Sequence, residues 1–463
     1  MKKNHYWTIL SLLLITMMMV SCLPSTPEAQ IPTTDEPRLE SETRVSPVVE
    51  VPFTIQSDKK FLQPISFLFR AFYGEKSPSF VETGGDLLVT NLVQIDGDHP
   101  TTPAMFIPGG VLIPNNENED VLNFIEFAVS KKGQKVLIAA GELPALITLT
   151  DQAGKNVTIP QPVERVISSF GPTTANIYTV GGEDCLVSAS YLGARDPLGS
   201  SMMAEIDLRF PEIMGDEKFS QQDFNVEEAA NLDPDLILAS ARSAWLDIVG
   251  ELEVPLVLFD AETFDRLKEA VELTGELFGP QASAKAQTWV TYFDSTVKQI
   301  QNLTAEIPSN NLPKILFTGT SPQSVASGDM FQTEIIEAAG GQSVSKELIG
   351  YWNEVNLEQI AIWDPDIIIV PHYGGASIES ITESNEWQIL RAVQDGRVYQ
   401  MPKLVAPWDT PAPDSVLGIV WMAQLLHPDL VDLDCSEETQ YFYNTFYQYE
   451  ITTEVTEEIC SND

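Results

Sequence analysis

Basic residues, histidine, cysteine and the common catalytic signatures are all scarce in this chain of 463 residues. Lysine and arginine together number 26 against 67 acidic residues, a formal charge of −41. That balance excludes the basic footprint nucleic acid requires and any electrostatic adhesion to an anionic membrane, and it predicts a solvated acidic surface. The four histidines, His5, His99, His372 and His427, are too few for a bare divalent ion held by several imidazoles. The four cysteines show no zinc or iron–sulfur spacing, so neither a resident metal nor a cofactor is expected. No G-x-S-x-G, H-E-x-x-H, P-loop or G-x-G-x-x-G is present, and Asp409, a conceivable general base, has no visible partner. No catalytic residue is therefore assigned.

What the chain does contain is an internal repeat. Asn225–Ser240, NVEEAANLDPDLILAS, returns at Asn356–Pro371 as NLEQIAIWDPDIIIVP, identical at 7 of 16 aligned positions. Asn225 and Asn356 suit a helix N-cap, with Glu228 and Gln359 three residues on as in a capping box. The proline of Asp-Pro-Asp ends each helix, and the apolar runs from Leu236 and Ile367 fit central strands buried on both faces. Two similar α/β halves follow.

At the amino end, Lys2 and Lys3 precede an apolar core that begins at Trp7 and is short for a spanning helix, ending at Ser21-Cys22. It resembles a lipoprotein signal cut before Cys22, although Met19 stands where such signals usually carry leucine; the other reading is an uncleaved anchor. Either way the body lies outside the cytoplasm. Residues 23–50, rich in Pro, Thr, Ser and Glu, read as a flexible linker. Cys435 and Cys460 are separated by about 25 residues, and an oxidising exterior would allow them to pair.

Residues 51–146 form a first module: a strand at Val51–Ile55, a helix over Phe61–Phe72, a strand over Phe106–Pro114, and two helices from Asp120 broken at Ser-Lys-Lys-Gly. Its end resembles the closing helices of class II, molybdate-type binding proteins, but only about 100 residues are present, which implies a structural role. A hairpin follows at Ile147–Pro160, then the strand Arg165–Ser169. The hairpin, the RVISS strand and DPDLIL resemble the opening of class III solute-binding proteins of ABC transporters, the family that captures ferric siderophores, haem and cobalamin. The resemblance spans residues 147–460.

The expected fold class is accordingly α/β: two similar α/β lobes with central, mostly parallel sheets joined by a long helix, plus a small N-terminal α/β module. The segments are signal 1–22, linker 23–50, module 51–146, first lobe 147–260, connecting helix 261–303 and second lobe with C-terminal helices 304–463. The helical pattern must break or restart at Gly279-Pro280.

Open parallel sheets bind ligands at the carboxyl ends of their strands, which makes Phe170, Tyr191, Arg195 and Arg242 candidates in the first lobe and His372, Tyr373 and Trp408 in the second. Arg195 and Arg242 could hold an anionic ligand bidentately. In cobalamin-binding members an aromatic residue lies six positions before the glutamate of N-x-E; here those positions are Gln221, a departure, and Trp352. Trp408-Asp-Thr-Pro-Ala-Pro resembles a stretch in members for iron complexes or molybdate. Glu227 and Glu358 occupy equivalent first-turn positions, where a carboxylate complements the helix dipole; the resemblance implies that they dock into arginines of the permease. It thus implies partners: an ABC permease with its ATPase, a metal chelate or a molybdate or tungstate oxyanion, and the membrane through a lipid on Cys22. A surface lipoprotein without transport function, or a hydrolase, is the alternative from another class.

Overall fold

The computed structural model describes residues 51–74, 76–92, 104–190, 197–214 and 218–461. Cys22, the signal and the linker lie outside them, as do Tyr191 and Arg195.

Each copy of the repeat folds as a short helix leading into a fully buried strand: Val226–Leu232 into Leu236–Ser240, and Leu357–Trp363 into Ile367–Val370. The side chains of Asn225 and Asn356 accept from the amides of Glu228 and Gln359. Glu228 itself is ion-paired with Lys218. The first aspartate of each Asp-Pro-Asp, Asp233 and Asp364, closes its helix in the left-handed region at φ 46° and 48°, a conformation aspartate tolerates. The second reaches the neighbouring strand. Asp235 accepts from the amides of Glu164 (2.8 Å) and Arg165 (3.1 Å), and Asp366 from that of Lys314 (2.9 Å). The motif thus ends a helix and ties down the start of the adjacent strand in the same few residues.

Two four-stranded parallel sheets result. The first runs Leu256–Phe259, Leu236–Ser240, Val166–Ser168, Leu186–Ala189; the second runs Val398–Gln400, Ile367–Val370, Lys314–Phe317, Gln342–Ser343. With the repeats superposed, the two orders are identical. Alternate residues enter different cores, as the two-residue period requires. Leu236 and Leu238 join Ile315, Phe317, Ile367 and Ile369 in one large central core, while Ile237 and Ala239, and separately Leu316 and Ile368, fill smaller outer ones. The central core therefore serves both lobes.

The connection between lobes differs from a single rod. Helix Phe264–Phe278 stops at Gly279, whose φ of 95° suits glycine, and helix Pro280–Thr304 restarts with proline in its first turn. The two helices pack against each other. The second spans about 37 Å at 1.5 Å per residue and sends Trp289 and Phe293 into the central core. Cys435 and Cys460 form a disulfide between the last two helices.

The amino-terminal module has a mixed sheet in the order Ser79–Val81, Thr54–Ser57, Leu87–Asn91, Gly110–Pro114, Ala104–Ile107, with its own core around Phe53, Phe69 and Phe124. The stretch read as one strand over Phe106–Pro114 is a hairpin turning at Pro108-Gly109 (φ 72°). Helix Glu119–Val129 is followed after Ser130 by helix Lys131–Ala139. The module sits against the first lobe and the connecting helix: Met105 donates its amide to Gln281 Oε1 (2.6 Å), Gln134 Nε2 donates to the Phe278 carbonyl (3.1 Å), and Lys135 pairs with Glu164. Among the described residues no helix is long and apolar enough to cross a membrane.

Candidate ligand-binding cleft

The strands deliver their following loops to one cleft of about 850 Å³ lined from both lobes. On the first wall, Phe170 precedes helix Gly171–Thr179 and is fixed through its carbonyl, which accepts from Thr173 Oγ1 (2.7 Å). Ser240, last residue of its strand, accepts from Gln221 Nε2 (3.2 Å) and from the Arg242 amide (3.1 Å), so one hydroxyl positions both. Trp245 Nε1 holds the Ser220 carbonyl at 2.7 Å, anchoring the loop that carries Gln221.

On the facing wall, Trp352 is seated over Gly319, where any Cβ would overlap its indole. Tyr373 meets Trp352 edge to face at 6.4 Å. The turn after Tyr373 uses Gly374 (φ 86°), since a Cβ there would lie 2.5 Å from Cα of Thr320. Tyr373 donates its hydroxyl to Asp409 Oδ2, and Gln332 Nε2 donates to the Tyr373 hydroxyl (3.2 Å) and the Asp409 carbonyl (3.1 Å). Asp409 is fully buried, and burial pushes its carboxyl up to about 6. Burial, then the charge of Asp409, drives the Tyr373 phenol well above its ordinary value. That phenol stays protonated.

Among the described residues, the charges lining the cleft are balanced. Asp223 and Glu262 line it with Arg242 and Lys403, two of each sign. Arg242 is ion-paired with Glu262, lies 3.5 Å from Asp260, and sits 4.7 Å from the centroid of Tyr351 on the other wall. Burial works against its charge, but the hydrogen bond to Glu262 and that carboxylate's field more than offset it, raising the Arg242 pKa.

Of the residues singled out from sequence, Phe170, Gln221, Arg242, Trp352, His372 and Tyr373 come together in this one cleft. Trp408 does not, and its assignment as a ligand contact is corrected. It is fully buried, packed over Gly418, where a Cβ would approach the Trp408 carbonyl to 2.6 Å; its neighbours Pro407, Thr410 and Pro411 form the cleft wall instead. Glu227 and Glu358 are exposed in the first turns of their helices. Sequence reasoning missed Gln332, Tyr351 and Glu262. Tyr351 adjoins Trp352 and could have been drawn from the same carry-over, whereas nothing in the run Met330-Phe-Gln332 signals a cleft. A second hollow, about 630 Å³, lies between the module and the first lobe and is lined by Phe127, Lys131, Gln134 and Phe278. Among the described residues, no loop following a strand of the two four-stranded sheets lines it, and it is a seam between packed surfaces.

Residues 219–404 match the periplasmic binding protein family. The molybdate-binding protein MolA of Haemophilus influenzae is 22% identical over 325 residues, 65% of this chain and 90% of that protein. The vitamin B12-binding protein of Yersinia pestis is 27% identical over 220 residues, 46% of this chain and 72% of that protein. Among solved structures, a periplasmic solute-binding protein from Veillonella parvula superposes with a TM-score of 0.58 at 25% identity, covering 68% of this chain and 98% of its own. Molybdate-bound MolA gives 0.58 at 19% identity, covering 66% and 99%. The fold is that of periplasmic solute-binding proteins, and these relatives are binding proteins rather than enzymes.

Proposed function

We propose that this chain is an extracytoplasmic solute receptor, lipid-anchored at Cys22, that captures a metal chelate of the ferric siderophore, haem or cobalamin class and delivers it to the permease and ATPase of an ABC importer. The observation that carries this reading is the cleft: wide, walled by Phe170, Tyr351, Trp352 and Tyr373, and balanced in charge among the described residues. Aromatic faces suit a large, partly apolar complex, and a site of several hundred Å³ is of the size small-molecule receptors use. Arg242, the described candidate for anion capture, is already neutralised by Glu262. A tetrahedral oxyanion would fill a small part of such a volume. The similarity to MolA favours molybdate or tungstate as the second reading.

Glu227 and Glu358, exposed and equivalent in the repeat, are the proposed contacts with the permease. Reversing both charges (Glu227→Lys with Glu358→Lys) is expected to abolish uptake in cells while leaving the affinity of the purified protein unchanged. Uptake at the wild-type rate would reject the docking role.

A further inference from the structure

The amino-terminal module is fastened to the interlobe connection at the point where that connection breaks. Helix Phe264–Phe278 and helix Pro280–Thr304 meet at Gly279; a helix end leaves carbonyls that need outside partners, and proline brings no amide to bridge the gap. The module supplies a partner. Gln134, only 7% exposed, donates Nε2 to the Phe278 carbonyl (3.1 Å), and its carboxamide lies so close over the break that a Cβ at Gly279 would come within 2.9 Å of it. On the other side of the break, Gln281 Oε1 accepts from the Met105 amide (2.6 Å). The two-residue period of the module's sheet divides its side chains: Phe106 and Leu112 fill the module's own core, while Met105 and Val111 form a separate apolar cluster with Ala284 of the second helix. One rigid body thus grips both helices.

That grip has leverage. Helix Pro280–Thr304 begins on the first lobe, where Lys285 lies across Gly181, and ends on the second, where Thr304 packs against Gly340 and the helix lies along Ser415–Leu426. Over a length of about 37 Å, a tilt of about 5° at its start carries its other end through about 3 Å. A glycine between two helix ends absorbs such a tilt at little cost. We propose that the module is a clamp: by holding both sides of the Gly279 break it fixes the long helix to the first lobe, and with it the spacing of the two lobes and the width of the cleft. The clamp acts whichever ligand the cleft takes, so it stands apart from the chelate reading.

The test is the distance between the lobes, measured without ligand in the full mature chain by double electron–electron resonance. Nitroxides are coupled to p-acetylphenylalanine at positions 227 and 358, exposed and equivalent in the two lobes, which leaves the cysteines untouched. The otherwise wild-type chain should give a single narrow distribution, and Gln134→Ala with Gln281→Ala should broaden it about twofold while the circular dichroism spectrum is retained. A module that only packs against the body would leave the width as it was, so equal widths overturn the proposal, as does a broad distribution before any substitution. Should the double variant fail to fold, Gln134→Glu keeps the side chain's length and sets an acceptor against the Phe278 carbonyl. It should broaden the distribution in the same way, and an unchanged width there overturns the clamp equally.

Discussion

Trp352 owes its place to a residue that cannot be anything else. Gly319 lies two residues beyond the strand Lys314–Phe317 and leaves just the space the indole occupies, so Gly319→Ala must displace the ring from the cleft wall. Since the strand beneath is untouched, this variant should retain its fold and lose about tenfold or more in ligand affinity, matching Trp352→Ala, as expected for a large aromatic contact. Calorimetry alongside circular dichroism checks it; full affinity in Gly319→Ala would mean that Trp352 does not face the ligand. A second residue-scale prediction concerns pH. Burial raises both Asp409 and Asp414 to about 6 from 3.8, so the folded chain keeps their protons where the unfolded chain has released them. Stability contributed by these protons is complete below about pH 4 and is lost as pH rises through about 6. Asp414 accepts from Tyr443 and Tyr447 and does not itself line the cleft, so Asp414→Asn should flatten the fall in melting temperature between pH 4.5 and 7. A variant with the wild-type slope would contradict the sign argued here.

Among elements, the Asp-Pro-Asp turns are the clearest case of one motif serving two roles. Removing the second carboxylate leaves strand-start amides without their charge-assisted acceptor, so Asp235→Ala and Asp366→Ala should each destabilise by about 1–2 kcal/mol in denaturant titrations. A negligible change at both would show that solvent satisfies those amides equally well. This is also where the sequence was most legible. Two copies of the same pattern disclosed the cap at Asn225 and Asn356, the stop at Pro234 and Pro365, and strands buried on both sides, because each depends on local chemistry. What was illegible depends on contacts distant in sequence. Trp408 looked like a ligand contact until Gly418, ten residues on, opened a slot beneath it. Gln332 carries no signature at all; only the approach of Tyr373 and Asp409 makes it part of a site. The hairpin at Gly109 was read as one strand because its apolar flanks run almost unbroken.

In the whole molecule, both sheets share one central core with the connecting segment; the Phe264 amide to Glu334 and Phe264 against Phe331 at 5.3 Å tie that segment to the second lobe, and Arg242 over Tyr351 ties lobe to lobe. Opening by a wide hinge would break that core, so ligand capture is expected to proceed with small relative motion. The central claim is that this stiff pair of lobes holds a metal chelate in the gap between them. Isothermal titration of the purified chain with ferric desferrioxamine, cyanocobalamin, haem and molybdate, in wild type and Trp352→Ala, measures it most directly. The account predicts saturable one-to-one binding of a chelate that weakens at least tenfold in Trp352→Ala. Binding that the substitution leaves unchanged, or no binding by the wild type, would contradict it.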